Sequence, residues 1–130
     1  REFTRRLVVT ILIGNGDMHL KNWSLLYPDR RAPVLSPAYD FVSTVPYVPN
    51  ETLALSLGES KDMLSVDRNR FVRFARRAGL PDRLVAAVAV DTADRVHEAW
   101  RTLEAKDLLP QPIRDSVEAH MGRVSLGRRT

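Results

Sequence analysis

From Ser65 to Leu126 apolar residues recur at helical spacing, and the pattern is cut where glycine and proline fall. Phe71, Phe74, Ala75 and Ala78 share one face of a segment for which Asp67 is a natural N-cap. Gly79 and Pro81 stop it. Pro81 suits the first turn of a second helix, which the pattern carries to about Ala105 with Leu84, Val88, Ala89, Val96 and Trp100 toward the core. Pro110 and Pro112 break the chain again. Ile113, Val117, Met121 and Val124 then define a last helix, Ile113–Leu126, ahead of a frayed tail, Gly127–Thr130. Such a chain must bury its apolar stripes by packing helix on helix.

The N-terminal half has a different texture. Leu7, Val8, Ile11 and Leu12, with Phe3, form one stripe of a helix over Arg1–Ile13, and Gly14-Asn15-Gly16 ends it. Asn22–Tyr27 and Pro33–Pro37 have strand character, with turn chemistry between them at Pro28-Asp29-Arg30-Arg31. A hairpin is expected there. Ser43–Leu64 holds Pro46, Pro49 and Gly58 and reads as surface loop, with one extended piece at Thr52–Leu57. The expected architecture is mainly α with one small β-hairpin, a single domain over residues 1–130. Residues 1–45 would carry the loop and hairpin, and residues 65–126 the helical part.

Composition narrows the function classes. The 130 residues suffice for one modest core. No cysteine is present, which excludes disulfides and thiolate metal sites and is consistent with a reducing, cytoplasmic setting. The apolar runs Leu7–Ile13 and Leu84–Val90 are far short of the roughly 20 residues that span a bilayer, so no membrane role is expected. Twenty Lys and Arg against 16 Asp and Glu leave a net charge of +4, which mildly favours anionic partners.

The chemistry concentrates in Gly14-Asn15-Gly16-Asp17-Met18-His19-Leu20-Lys21-Asn22. Asp17 and Asn22 stand in the D-x-x-x-x-N spacing of a protein-kinase catalytic loop. In such a loop the aspartate accepts a hydrogen bond from the substrate hydroxyl. The asparagine offers its side-chain carbonyl oxygen to Mg2+ on the nucleotide. Magnesium needs hard oxygens and takes only one or two from protein. Asp40, in Ser36-Pro37-Ala38-Tyr39-Asp40-Phe41, would supply the second, because a hairpin between Asn22 and Asp40 brings its two ends together. Asp40-Phe41 is followed by Val42, so the glycine of a kinase Asp-Phe-Gly tripeptide is missing. The plainer alternative for Asp17, Asn22 and Asp40 is that they cap turns.

Asp17-Met18-His19-Leu20-Lys21-Asn22-Trp23-Ser24, followed by Ser36-Pro37-Ala38-Tyr39-Asp40, resembles the HipA family of serine/threonine kinases, the toxins of bacterial HipA/HipB toxin–antitoxin pairs. The resemblance covers about the first third of the chain. It implies the C-terminal, large lobe of a protein-kinase-like fold, ATP and Mg2+ as cofactors, and a protein substrate. It implies Asp17 as the catalytic residue, with Asn22 and Asp40 on the metal. His19, Lys21 and Tyr39 would lie near the ATP phosphates or line the nucleotide pocket. It further implies a HipB-like, DNA-binding antitoxin as partner.

Lys21 also fits on physical grounds, since an ammonium beside the γ-phosphate stabilises transition-state charge. His19 has the alternative of bracing the loop by hydrogen bonds, and Tyr39 that of core packing. No kinase-type glycine-rich loop or phosphate-pairing lysine strand is present, so a nucleotide lobe is absent from these residues and the chain alone is expected to be inactive.

Two other readings stand beside this one. Gly16-Asp17-Met18-His19 with Asn22 also satisfies the pattern of aminoglycoside- and choline-type small-molecule kinases, although Lys21 and the approach to Asp40 favour HipA. A non-catalytic module that binds a partner or DNA is the other. Arg70, Arg73 and Arg77, with Arg68 and Arg76, form a basic patch that suits DNA phosphates, though a plain solvated face explains it as well. His97 and His120 lack companions at metal-ligand spacing, and Trp23 and Trp100 read as core aromatics.

Overall fold

The computed structural model describes residues 1–127, so the end of the expected frayed tail lies outside the described residues. The architecture is mainly helical with one two-stranded antiparallel hairpin. The elements are α1 (Glu2–Leu12), β1 (Leu25–Leu26), β2 (Val34–Leu35), α2 (Arg68–Arg77), α3 (Asp82–Thr102) and α4 (Gln111–Arg123).

Helix α3 is the central post, with α1 and α2 both packed along it. Its buried face is Val85, Ala86, Ala89, Thr92 and Ala93. Three alanines let neighbouring backbones approach closely. Val8, Ile11 and Leu12 of α1 and Phe71 and Ala75 of α2 fill the space against it, all fully buried. Each such aliphatic side chain contributes about 1.5–3 kcal/mol relative to exposure. Met63, Val66, Val117, Met121, Val124 and Leu126 complete one contiguous core.

Helix α2 starts where the sequence predicts: the Asp67 carboxylate accepts from the Arg70 backbone N–H at 2.7 Å. Helix α4 returns to α1, where a His120 ring nitrogen meets the Ile11 carbonyl at 2.8 Å. Beyond it, the Ser125 N–H and hydroxyl both donate to the Leu64 carbonyl at 2.9 Å, fixing the C-terminal end to the middle loop.

Several details depart from expectation. The strands are two residues each, not the longer Asn22–Tyr27 and Pro33–Pro37. Residues Leu20–Asn22 form a 3-10 turn instead, because the Asn22 N–H and side-chain amide both bond backward, to the His19 and Asp17 carbonyls. Thr52–Leu57 forms no strand. It is held by the Leu53 N–H on the Lys61 carbonyl and an isolated bridge between Leu57 and Ser60.

The second helix ends at Thr102 and Pro81 caps it from outside rather than opening its first turn, with Glu104–Leu108 a separate 3-10 turn. Leu84 and Ala78 are exposed, since the buried stripe of α3 runs one residue later, through Val85, and Ala78 already stands at the α2 C-cap. Phe3 is 40% exposed, its ring 4.6 Å from that of Trp23, so these two aromatics edge the core rather than fill it.

Arg70 leaves the expected basic patch altogether. It is buried, and its guanidinium donates to the Leu57 carbonyl at 3.3 Å and the Ser65 hydroxyl at 2.9 Å. Arg76 and Arg77 are paired with Asp82 and Glu59. The solvated face is therefore Arg68, Arg73, Arg76 and Arg77.

Candidate active site

The loop after α1 is built on a left-handed glycine. Gly14 has φ +67, and its carbonyl accepts from the Thr44 N–H at 3.0 Å, the Val45 N–H at 3.2 Å and the Thr44 hydroxyl at 3.1 Å. The Thr44 hydroxyl in turn accepts from the Gly16 N–H at 2.8 Å. Asn15 is fully buried and its Oδ1 accepts from the Asp17 N–H at 3.0 Å. The loop is thus held from below by Asn15 and from the side by Thr44, and Asp17 emerges exposed.

Asn22 is buried, and its Nδ2 donates to the Asp17 backbone carbonyl at 3.2 Å. The Asp17 carbonyl can only accept, so the amide nitrogen must face it and Oδ1 is left over. Asn22 Oδ1 has no hydrogen-bond partner among the described residues. Asp17 and Asn22 are therefore tied to one another through the loop backbone.

The other end of the hairpin is anchored beside them. The Tyr39 hydroxyl donates to the Lys21 carbonyl at 2.8 Å and lies 2.5 Å from the Ser24 hydroxyl. Tyr39 is exposed, so it is a strap across the hairpin base and not core packing. The Ser36 N–H donates to the Ser24 carbonyl at 2.9 Å, and buried Arg6 of α1 donates to the Ser36 carbonyl at 2.6 Å. Asp40 follows this anchored stretch. It is exposed, its carboxylate has no hydrogen bond or ion pair among the described residues, and its φ is +57. Aspartate tolerates that left-handed conformation better than most residues, but at some cost.

His19 Nε2 stands 4.0 Å from the Asp17 carboxylate, while Nδ1 is buried without a partner. Its side chain therefore does not brace the loop by hydrogen bonds among the described residues; its backbone N–H does, on the Asp17 carbonyl at 2.8 Å. Lys21 is exposed and its ammonium forms no ion pair among the described residues.

The donor set suits magnesium. Asn22 Oδ1 and the Asp40 carboxylate are hard oxygens without protein partners. No group of three or more His, Cys, Asp or Glu side chains gathers at metal-binding distance among the described residues. Magnesium needs no such cluster, since it takes one or two oxygens from protein and the rest from phosphates and water.

A groove of about 710 Å3 lies elsewhere, between α1 and α3, lined by Arg5, Val9, Arg95 and Val96 among others. It reaches the site through Arg6, Ala38 and Phe41, and Asp40 is not among its lining residues. Among the described residues no helix is long and apolar enough to cross a membrane.

Sequence reasoning passed over three residues that shape this site. Thr44 and Arg6 carry buried or half-buried bonds to its backbone, and the Glu51 side chain lies against Gly16. The available signal was Gly16 itself, since a glycine between Asn15 and Asp17 announces that another chain segment comes close.

Comparison with known proteins points to one family. The model of the HipA-like C-terminal domain matches residues 1–100. The chain is 46% identical over 129 residues to a Sinorhizobium fredii protein named "Putative kinase Y4dM", covering 98% of this chain and 31% of that protein. It is 32% identical over 132 residues to a Haemophilus influenzae protein named "Putative kinase", covering 90% of this chain and 38% of that one. Among solved structures, the fold resembles a chain of the Shewanella oneidensis MR-1 toxin–antitoxin complex of HipA, HipB and operator DNA. The TM-score is 0.71 at 24% identity, over 95% of this chain and 29% of that chain. The chain thus spans about a third of the length of the relatives it matches. With the family model covering most of its residues, this chain belongs to the HipA-like C-terminal domain family.

Proposed function

We propose that this chain is the catalytic-loop lobe of a HipA-type kinase that transfers the γ-phosphoryl group of ATP to a serine or threonine hydroxyl of a protein. One observation carries the reading. Asn22 spends its amide nitrogen on the Asp17 carbonyl, so its free Oδ1 and the exposed Asp17 carboxylate belong to one rigid loop. A cap or turn needs neither the free oxygen nor the exposed carboxylate.

In this reading Asp17 accepts the hydrogen bond of the substrate hydroxyl, orients it toward the γ-phosphorus and takes its proton as the new P–O bond forms and the bond from the γ-phosphorus to the bridging oxygen breaks, that oxygen leaving with ADP. Asn22 and Asp40 would hold Mg2+, which when bound neutralises phosphate charge. The left-handed Asp40 is in keeping with such a role, because strained residues gather where function needs them. Lys21 places a cation near the transferring group, and His19 lines the same approach. Catalysis is then positioning and electrostatics.

A HipB-like, DNA-binding antitoxin is the partner suggested by the Shewanella complex. The exposed Arg68, Arg73, Arg76 and Arg77 would at most add a weak, salt-sensitive contact to DNA phosphates.

The test uses the protein at its full natural length with labelled ATP and Mg2+. Phosphoserine or phosphothreonine should appear on a protein. Asp17→Asn and Asp40→Asn should each lower the rate at least about a thousandfold with the fold intact. Full activity of Asp17→Asn, or label appearing only on a small alcohol, would contradict the proposal.

A further inference from the structure

The glycine before Asp17 is covered by a side chain from the middle loop. A Cβ built on Gly16 would lie 2.1 Å from Glu51 Cδ, 2.4 Å from its Oε1 and 2.6 Å from its Cγ. No side chain fits at position 16 while Glu51 stays where it is. Glu51 is half-buried, and its Oε1 is engaged by the Thr52 N–H at 3.0 Å, which fixes the carboxyl end over the glycine. On the other side the Gly16 N–H is held by the Thr44 hydroxyl at 2.8 Å. Gly16 is therefore clamped twice from the segment between residues 44 and 51: by a hydrogen bond on its nitrogen and by packing on its α-carbon.

Glycine is the residue whose backbone wanders most freely when nothing holds it. A free Gly16 would let the Asp17 carboxylate drift relative to Asn22. Asp17 has its own tie through Asn15, which holds the Gly16–Asp17 peptide by its N–H, and Thr44 holds the Asn15–Gly16 peptide in the same way; the α-carbon between these two peptides is covered by Glu51.

We infer that Glu51 is a positioning residue for Asp17: its side chain fills the space over Gly16 and fixes the backbone from which the proposed catalytic carboxylate projects. It acts by shape and by its bond to Thr52, not by charge on the substrate. This inference rests on the role given to Asp17.

The test is steady-state kinetics of the full-length protein for Glu51→Ala, Glu51→Gln, Gly16→Ala and the Gly16→Ala/Glu51→Ala pair, beside Asp17→Asn. Glu51→Ala should lower kcat about tenfold, as expected for a reacting group misplaced by a fraction of an ångström, with KM for ATP and Tm unchanged. Glu51→Gln keeps the shape and the acceptor for the Thr52 N–H and should retain the wild-type kcat. Gly16→Ala pushes the Glu51 side chain away and should match Glu51→Ala, and the double variant should be no worse than either single one.

Wild-type kcat in Glu51→Ala overturns the inference. So does an equal loss in Glu51→Gln, which would make the charge the active feature. If Glu51→Ala lowers Tm, Glu51→Gln, which keeps both the packing over Gly16 and the acceptor for the Thr52 N–H, decides: wild-type kcat supports the inference and a persistent loss overturns it. An active Asp17→Asn would instead sink the role of Asp17, whatever Glu51 does.

Discussion

Gly14 shows how one residue controls the site. Its φ of +67 is a conformation L side chains adopt with strain, and a Cβ there would lie 2.4 Å from Val45 Cγ1. Its carbonyl meanwhile holds Thr44 and Val45. Gly14→Ala should cost about 2–4 kcal/mol, combining the left-handed penalty with overpacking. Denaturant unfolding of the variant checks it, and a change below about 0.5 kcal/mol would mean that the Thr44–Val45 segment is not clamped there.

Residue identity made part of this legible. The positive φ of Gly14, the cap at Asp67 and the spacing of Asp17 and Asn22 are local, and local chemistry can be read along a chain. Thr44, Glu51 and Arg6 act through contacts made 28 to 35 residues away from their neighbours in the site, and no window of sequence holds both halves.

At the scale of elements, periodicity located all four helices, because the buried stripes of α1, α2, α3 and α4 repeat at helical spacing. It misjudged phase where alanine shares a face with larger residues: on α3 the stripe through Ala86, Ala89 and Ala93 outcompetes Leu84, since small residues permit the close approach of α1 and α2. It also misjudged Arg70, which charge alone assigns to solvent.

Arg70 instead stitches α2 to the middle loop at Leu57 and Ser65. Gly58, with φ +56, gives the arginine stem room, since a Cβ there would meet Arg70 Cδ at 2.9 Å. Arg70→Ala leaves the Leu57 carbonyl with the long 3.4 Å bond from the Ser60 N–H, removes the bond to Ser65, and should cost about 2–3 kcal/mol. Arg73→Ala, on the solvated face of the same helix, should change stability by less than about 0.5 kcal/mol. Equal effects from the two would put Arg70 back in the surface patch.

Across the whole molecule the fold closes through α4. His120 is half-buried and its ring nitrogen meets the Ile11 carbonyl, two residues before the Gly14 loop begins to turn. Burial lowers its pKa below the usual histidine value. The bond to Ile11 works in the opposite sense, and nearby Arg123 adds to the lowering. The folded state thus favours the neutral ring. Its contribution to stability is fully present above the unfolded histidine pKa, near 6.5, and is lost as pH falls from there through the lower folded value. Tm should fall between neutral pH and pH of about 5 more steeply for the wild type than for His120→Gln, which keeps a donor for Ile11 but does not titrate. Parallel profiles would show that His120 is not the group responsible.

The same closure ties α4 to the loop end of α1 while Tyr39 straps the hairpin base, and the proposal adds one divalent ion shared by Asn22 and Asp40. Its most direct test is magnetic. Mn2+ with ATP, added to the isotopically labelled protein at its full natural length, should broaden the amide resonances of residues 17–22 and 39–41 first. Asp40→Asn should abolish that broadening while leaving the rest of the spectrum in place. Broadening that spares those two segments, or that survives Asp40→Asn unchanged, would show that Asn22 and Asp40 do not share a divalent ion.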